Sequence, residues 1–237
     1  MNITQLYQEL SVGKFSNLAI GLEGAGSIAD GKKTSVLLAA NEALLRLYTK
    51  FALKESTLII KLVDHLTRYQ LLSKFAQSSI GVSSEPHLYL QDSVEFPFKD
   101  DVIRILSVQT DTGLFLPLND ESDDCSVFTP SGNVLQVPKL TATTVSTYLG
   151  VNYQAKHVPL VSGNDSQLID LPDCLHEALR CYIAYQIYCG MNTQESSAKA
   201  QEHLSMYVSL CNDAVDNDLV STSLSMTGNK FNKRGWI

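Results

Sequence analysis

The chain has 237 residues, of which 44% are hydrophobic and 18% charged, with 13 Gly and 7 Pro. This make-up is that of a globular protein of one domain or two small ones, and it excludes disordered and collagen-like chains. The formal net charge of −7 argues against a protein that wraps a phosphate backbone. No apolar run approaches the roughly 20 residues of a membrane-spanning helix, and the opening MNITQLYQEL has no signal-peptide pattern.

Ile3, Leu6, Tyr7 and Leu10 share one face of a short helix expected over Asn2–Leu10. A Gly- and Ser-rich loop is expected from Val12 to Gly31. The clearest helix of the N-terminal half follows. Leu37, Ala40, Leu44, Leu47, Tyr48 and Phe51 recur every three or four residues, and Glu42, Arg46 and Lys50 line the opposite side as i,i+4 pairs. Thr34 or Ser35 is its expected N-cap.

Between Glu55 and Lys139 the period changes. The β-branched run Thr57–Val63 predicts a strand, and His65–Phe75 a short amphipathic helix. His87–Gln91, Val102–Val108 and Tyr148–Val158 alternate as half-buried strands do. Val127–Phe128 and Val134–Val137 flank the turn-rich Thr129–Asn133. The middle is therefore expected to be a small antiparallel β region of several hairpins.

Helix returns at Leu171–Gly190, with Pro172 in the first turn and Gly190 at the end. Cys181–Cys189 is apolar nearly all round, so the helix must be covered on every side, by a neighbouring element or by another subunit. Leu175, Leu179, Tyr182, Tyr185 and Tyr188 are the candidate subunit-interface residues on it. Asn192 with Glu195 resembles a capping box opening a second long helix, with Ala200, Leu204, Tyr207, Cys211 and Ala214 as its stripe. The pair is expected to form an antiparallel αα-hairpin.

The expected fold class is α+β. A helical bundle (residues 1–54 and 165–217) combines the N-terminal helix and the αα-hairpin. A β-hairpin insertion (55–164) and an extended arm (218–237) complete the chain. Five cysteines without a CxxC spacing are read as buried reduced thiols suited to a reducing cytoplasm.

Few motifs carry chemistry. Gly26–Thr34 approaches a phosphate-binding loop, but Lys33 takes the place of the required hydroxyl and no βαβ pattern follows. Asp120–Asp124 lacks the alternating ligands of a calcium loop and reads as a solvated turn. The five histidines form no metal-binding spacing, and no nucleophile-elbow motif is present. No catalytic residue, metal or cofactor is expected. The tail remains. Its Phe231 and the lone tryptophan, Trp236, are large anchors of the type that dominates interfaces. Lys230, Lys233 and Arg234 around them would steer the arm to an acidic partner.

Asn41–Leu62, Pro97–Val108, Leu116–Pro138, Tyr153–Leu160, Leu171–Asn192 and the closing KFNKRGWI together resemble the head-to-tail adaptor proteins of short-tailed bacteriophages, the tail tubular or head-completion connectors. The resemblance spans most of the chain. It implies a non-enzymatic virion protein at the head–tail interface, made in the host cytoplasm. It implies a ring, usually a dodecamer, beneath the portal protein, with the tail nozzle or tube protein below and genomic DNA passing non-specifically through the channel. Phe231, Lys233, Arg234 and Trp236 would then be portal contacts, and Leu171–Cys189 the inter-subunit helix. The β middle is longer than in a short adaptor, which leaves open which hairpin meets which tail protein. Two other readings compete: a nucleotide-binding enzyme using loop 26–34, and an intracellular binding module that never forms rings.

Overall fold

The computed structural model describes residues 1–16, 27–81, 85–138 and 147–220. The chain divides into two compact units. One comprises Met1–Leu53 together with the chain from Pro159 onward, and the other is the insertion Lys54–Val158.

The first unit holds α1 (Ile3–Val12), α2 (Asp30–Lys50), α3 (His176–Cys189) and α4 (Gln194–Asp216). Every residue of the α2 stripe anticipated from spacing is buried, from Leu37 to Phe51. Asn2 caps α1 through a capping box with Gln5. Helix α2 begins earlier than expected, at Asp30, with Ala29 as a cap that makes no side-chain hydrogen bond. Thr34 and Ser35 lie inside the helix, because Lys32 and Lys33 already donate backbone hydrogen bonds to Ala29. The second capping box is displaced by one residue. Thr193 caps α4 with Ser196 as its partner, while Asn192 takes a left-handed turn at φ 52° that Asn tolerates.

Among its described residues the insertion holds eight strands: β1 (Glu55–Lys61), β2 (Arg68–Gln70), β3 (Leu90–Gln91), β4 (Val102–Thr110), β5 (Phe115–Leu116), β6 (Phe128–Ser131), β7 (Val134–Gln136) and β8 (Tyr148–Ala155). They form a five-stranded sheet in the order β3-β1-β8-β4-β5 and a three-stranded sheet in the order β2-β7-β6. The strand pairs within both sheets are antiparallel. Both sheets contribute to one core, with Leu58, Ile60, Val108, Leu149 and Val151 from the larger and Tyr69, Leu135 and Val137 from the smaller and its margin.

These sheets correct the expected fold class. The chain is a mixed α and β fold with four α-helices and two antiparallel sheets among its described residues. It is not a helical bundle that carries a β-hairpin region and ends in an αα-hairpin. Alternating burial identifies a strand but not its partner. Among the described residues, β4–β5 and β6–β7 are the local hairpins. The central strand β8 pairs on one side with β1, Glu55 facing Gln154 through Lys61 facing Tyr148, and on the other with β4 across two register shifts. The helix expected at His65–Phe75 is also absent. Arg68–Gln70 is strand β2, and 3-10 turns follow at Ser73–Phe75 and Gln77–Ser79. Tyr69 fixes this path. Its hydroxyl accepts from the Val63 N–H (3.0 Å) and lies 3.0 Å from the Leu66 carbonyl.

The cysteines depart from the buried reading too. Cys181 and Cys211 are buried, Cys125, Cys174 and Cys189 are exposed, and all five are free thiols.

The two sheets meet closely at the β6–β7 turn. A Cβ placed on Gly132 would stand 2.4 Å from the Ile103 carbonyl oxygen, a backbone atom with no rotamer to escape into. Gly132→Ala should therefore lower unfolding free energy by about 1–3 kcal/mol. Gly31→Ala, in the first turn of α2 with open space around it, should be neutral or stabilise by up to about 1 kcal/mol. Urea unfolding of the two variants checks the contrast.

Candidate functional site

Helix α3 is the centre of the helical unit, and its enclosure decides where the anticipated interface residues point. Pro172 precedes a 3-10 turn at Asp173–Leu175, which leads into α3, and Gly190 ends it. Leu175 and Leu179 are fully buried, Tyr188 nearly so, and Tyr182 is 1% exposed. The chain's own helices supply the cover. Of the five candidate interface residues, Tyr185 is the one that stays half-buried.

Tyr182 shows how tight the enclosure is. Its hydroxyl donates to Glu42 of α2 (3.1 Å) and accepts from Gln186 (2.9 Å). The ring lies 5.5 Å from Tyr185 and meets Tyr207 of α4 edge-on at 5.1 Å. The Arg46 guanidinium stands 5.1 Å from its centroid, in cation–π range. Burial raises the phenol pKa, so Tyr182 stays a neutral donor. On the far side, Tyr188 donates to the Lys14 carbonyl (3.1 Å) and stacks on His203 at 5.4 Å. Burial, and then the Lys14 charge, lower the pKa of His203 and hold its imidazole neutral. His176 turns elsewhere, to the Leu171 carbonyl and Asp173.

A charged clasp closes the first turns of α3. Glu177 lies 2.7 Å from Lys14 and 2.7 Å from Arg180, and Arg180 also reaches Glu9 of α1. Burial alone would raise the Glu177 pKa. Hydrogen bonds from Lys14 and Arg180 outweigh it and hold the carboxyl below its ordinary value. These groups line a shallow groove of about 610 Å³ with Val12 and Gly13. A second groove, about 710 Å³, runs along the outer side of α2 past Leu45, Arg46, Thr49 and Lys50 to Tyr207. Leu38 and Leu45, one heptad apart on α2, are exposed beside these polar groups.

Other sequence candidates have structural employment. Lys33 pairs with Asp30 (2.9 Å) and Asp165 (3.7 Å), and Asp30–Thr34 is helix. The Lys33 ammonium is thus matched by two carboxylates. In the acidic run, Asp120 accepts from the N–H and hydroxyl of Ser122 and Asp123 from the Cys125 N–H. Those carboxylates build turns. Among the described residues no three His, Cys, Asp or Glu converge to hold a metal ion, and no helix is long and apolar enough to cross a membrane. The arm candidates Lys230, Phe231, Lys233, Arg234 and Trp236 lie outside the described residues.

Sequence reading missed the clasp and the outer groove. The i,i+3 spacing of Glu177 and Arg180 was its one local signal. Lys14 and Glu9 arrive from the other end of the chain.

The clasp has a defined pH dependence. A carboxyl whose folded pKa is depressed contributes stability that is complete above its ordinary value, 4.5, and is lost as pH falls through the folded value. Glu177→Gln should lower the melting temperature near neutrality. The gap from wild type should close as pH falls from about 5 to about 3. Melting curves across that range check it, and a gap independent of pH is the contrary outcome.

A search of curated proteins gave no match. The family model described as SU10 adaptor protein matches residues 20–227, which takes in most of the helical unit and all of the β-rich insertion. The chain belongs to the SU10 adaptor protein family, in agreement with a phage head–tail adaptor and structural protein.

Proposed function

We propose that the protein is a non-enzymatic virion component that assembles as a ring between the portal and the tail and forms part of the DNA channel. Family membership over residues 20–227 carries this reading. Three physical features support it. The central helix of the helical unit is covered by its own chain over most of its surface, with Tyr185–Ile187 half-buried and Cys189 exposed, so each copy brings a preformed scaffold. Its outer surface keeps mixed apolar and charged groups, Leu38, Leu45, Arg46 and Lys50 on α2 and Tyr185 on α3, a composition suited to subunit contacts. The net charge of −7 suits a channel wall that must not hold DNA tightly.

In this reading the C-terminal segment is the portal contact. It joins Phe231 and Trp236 to Lys230, Lys233 and Arg234, so aromatic anchors provide affinity and the cations provide steering. One such arm alone offers a small contact and binds weakly. Many arms on one ring act together and multiply the effect. The tail nozzle or tube protein is the partner on the other side, and DNA is held by shape.

The test is assembly on purified portal particles, imaged by electron microscopy and quantified by co-sedimentation. Full-length protein should add a ring to each portal. Protein lacking Asn229–Ile237 should fail to bind, and Trp236→Ala should bind at least about tenfold more weakly. Equal binding by the truncated protein would refute the arm as the portal contact.

A further inference from the structure

Residues 92–100 connect β3 to β4 and carry the two most exposed large apolar side chains among the described residues, Val94 at 84% and Phe96 at 79%. Slack does not explain that exposure, because the loop is clamped at both ends. The Asp92 carboxylate accepts from the N–H (2.8 Å) and hydroxyl (2.6 Å) of Ser78, and from the Phe98 N–H (2.8 Å). Asp100 accepts from the N–H and hydroxyl of Ser73. Asp100 thus holds the first residue of one 3-10 turn and Asp92 the middle residue of the next. Phe98 is driven into the core, edge-on to Tyr153 at 6.2 Å. Val94-Glu95-Phe96 is thus a preformed knob with apolar side chains either side of a carboxylate. Glu95 has no cationic partner among the described residues.

The same unit holds a matching hole. A groove of about 560 Å³ is floored by Phe75 and Tyr89, stacked at 4.8 Å, and walled by Pro130. Its rim is cationic. Lys74 is paired with Glu85 at 2.7 Å, but Arg68 donates to the neutral Gln136 amide (3.2 Å). No carboxylate pairs with Arg68 among the described residues. The apolar floor and the unmatched cation complement the apolar knob and its unmatched anion.

We propose that the Val94-Glu95-Phe96 knob of one copy seats in this groove of a second copy. Phe96 lies on the Phe75–Tyr89 floor and Glu95 pairs with Arg68. Knob and hole are different surfaces, so each copy offers one of each and the contact can repeat from copy to copy. The Asp92 and Asp100 clamps remove most of the ordering cost that a free loop would carry into the contact. The proposal deepens the ring reading by naming a self-contact in the β-rich unit. It requires neither the portal nor the C-terminal segment.

Sedimentation equilibrium of the full chain, up to about 1 mM, is the test. Wild type should self-associate. Phe96→Ala, Glu95→Arg and Arg68→Glu should each weaken association at least about tenfold, and the double reversal Glu95→Arg with Arg68→Glu should restore it. A photo-crosslinker at position 96 should capture peptides of a second copy spanning 68–75 or 85–89. A chain monomeric throughout, a double reversal that fails to restore association, or capture confined to other peptides would overturn the proposal. Position 96 is exposed, so unchanged melting temperatures will show that the variants fold. Deleting Asn229–Ile237 should leave this self-association intact. A chain that self-associates through Phe96 but ignores portals would therefore sink the adaptor reading alone. One that binds portals but never self-associates through Phe96 would sink this proposal alone.

Discussion

The pairing of β1 with β8 is the constraint on which the rest of the chain depends. The helical unit is interrupted in sequence by more than a hundred residues, and closing a loop of that length opposes folding by roughly 4 kcal/mol. The pairing meets that cost over seven successive residue pairs, from Glu55–Gln154 to Lys61–Tyr148. It is extended by the bond from the Ala155 N–H to the Lys54 carbonyl. The first and last strands of the insertion are thereby neighbours, and its two ends leave side by side. Only then can segments from opposite ends of the sequence meet in the helical unit. There Asn41 exchanges hydrogen bonds with the Leu160 backbone in both directions, and the Tyr48 hydroxyl donates to the Asp170 carbonyl.

That dependence explains what the sequence made legible. Helical periodicity is a local property, and the stripe from Leu37 to Phe51 is buried as its spacing required. The all-round apolar character of Cys181–Cys189 demanded cover on every face, and the unit supplies it for Cys181–Ala184 and Tyr188, while Tyr185–Ile187 stay half-buried and Cys189 exposed. What supplies the cover is not local. The Lys14–Phe15 segment, α2 and α4 provide it, which leaves Leu175, Leu179, Tyr182 and Tyr188 inside the unit. The sheets were less legible for the same reason. Alternation in Tyr148–Ala155 marks a strand, but nothing in those residues says that its neighbours begin at Glu55 and Val102. At Arg68–Gln70 three residues are too few to show a period, and the tertiary hydrogen bonds of Tyr69 override a helical pattern.

The surfaces were legible to different degrees. The basic and aromatic tail announces itself by composition, because Trp236 is the lone tryptophan in the chain. The 92–100 loop does not. Val-Glu-Phe-Pro-Phe-Lys contains nothing that separates the exposed Phe96 from the buried Phe98 two residues on. Strand alternation would place both on one face. The Pro97 between them and the grip of Asp92 on the Phe98 N–H break the alternation and turn the two rings apart. Paired Asp and Ser residues spaced 14 and 27 apart have no sequence signature. Only the fold brings them together.

Rigidity is the common thread of these features, and it bears directly on an adaptor's task. A protein that joins other components gains little from deep pockets. It gains from surfaces whose geometry is fixed before contact, because each side chain ordered on binding subtracts from affinity. Here the fixing is done by engaged polar groups at graded depth: the buried Tyr182 between Glu42 and Gln186, the half-buried Glu177 between Lys14 and Arg180, and the half-buried Asp92 and exposed Asp100 on their serines. Where such a group is buried, desolvation offsets much of what its bonds contribute, so its net effect on stability is modest. Such groups penalise every alternative arrangement that leaves one of them unpaired. The net result is a chain whose apolar core supplies stability while its polar clamps select a single geometry, and a surface fixed in geometry before contact is what an adaptor offers the components it joins.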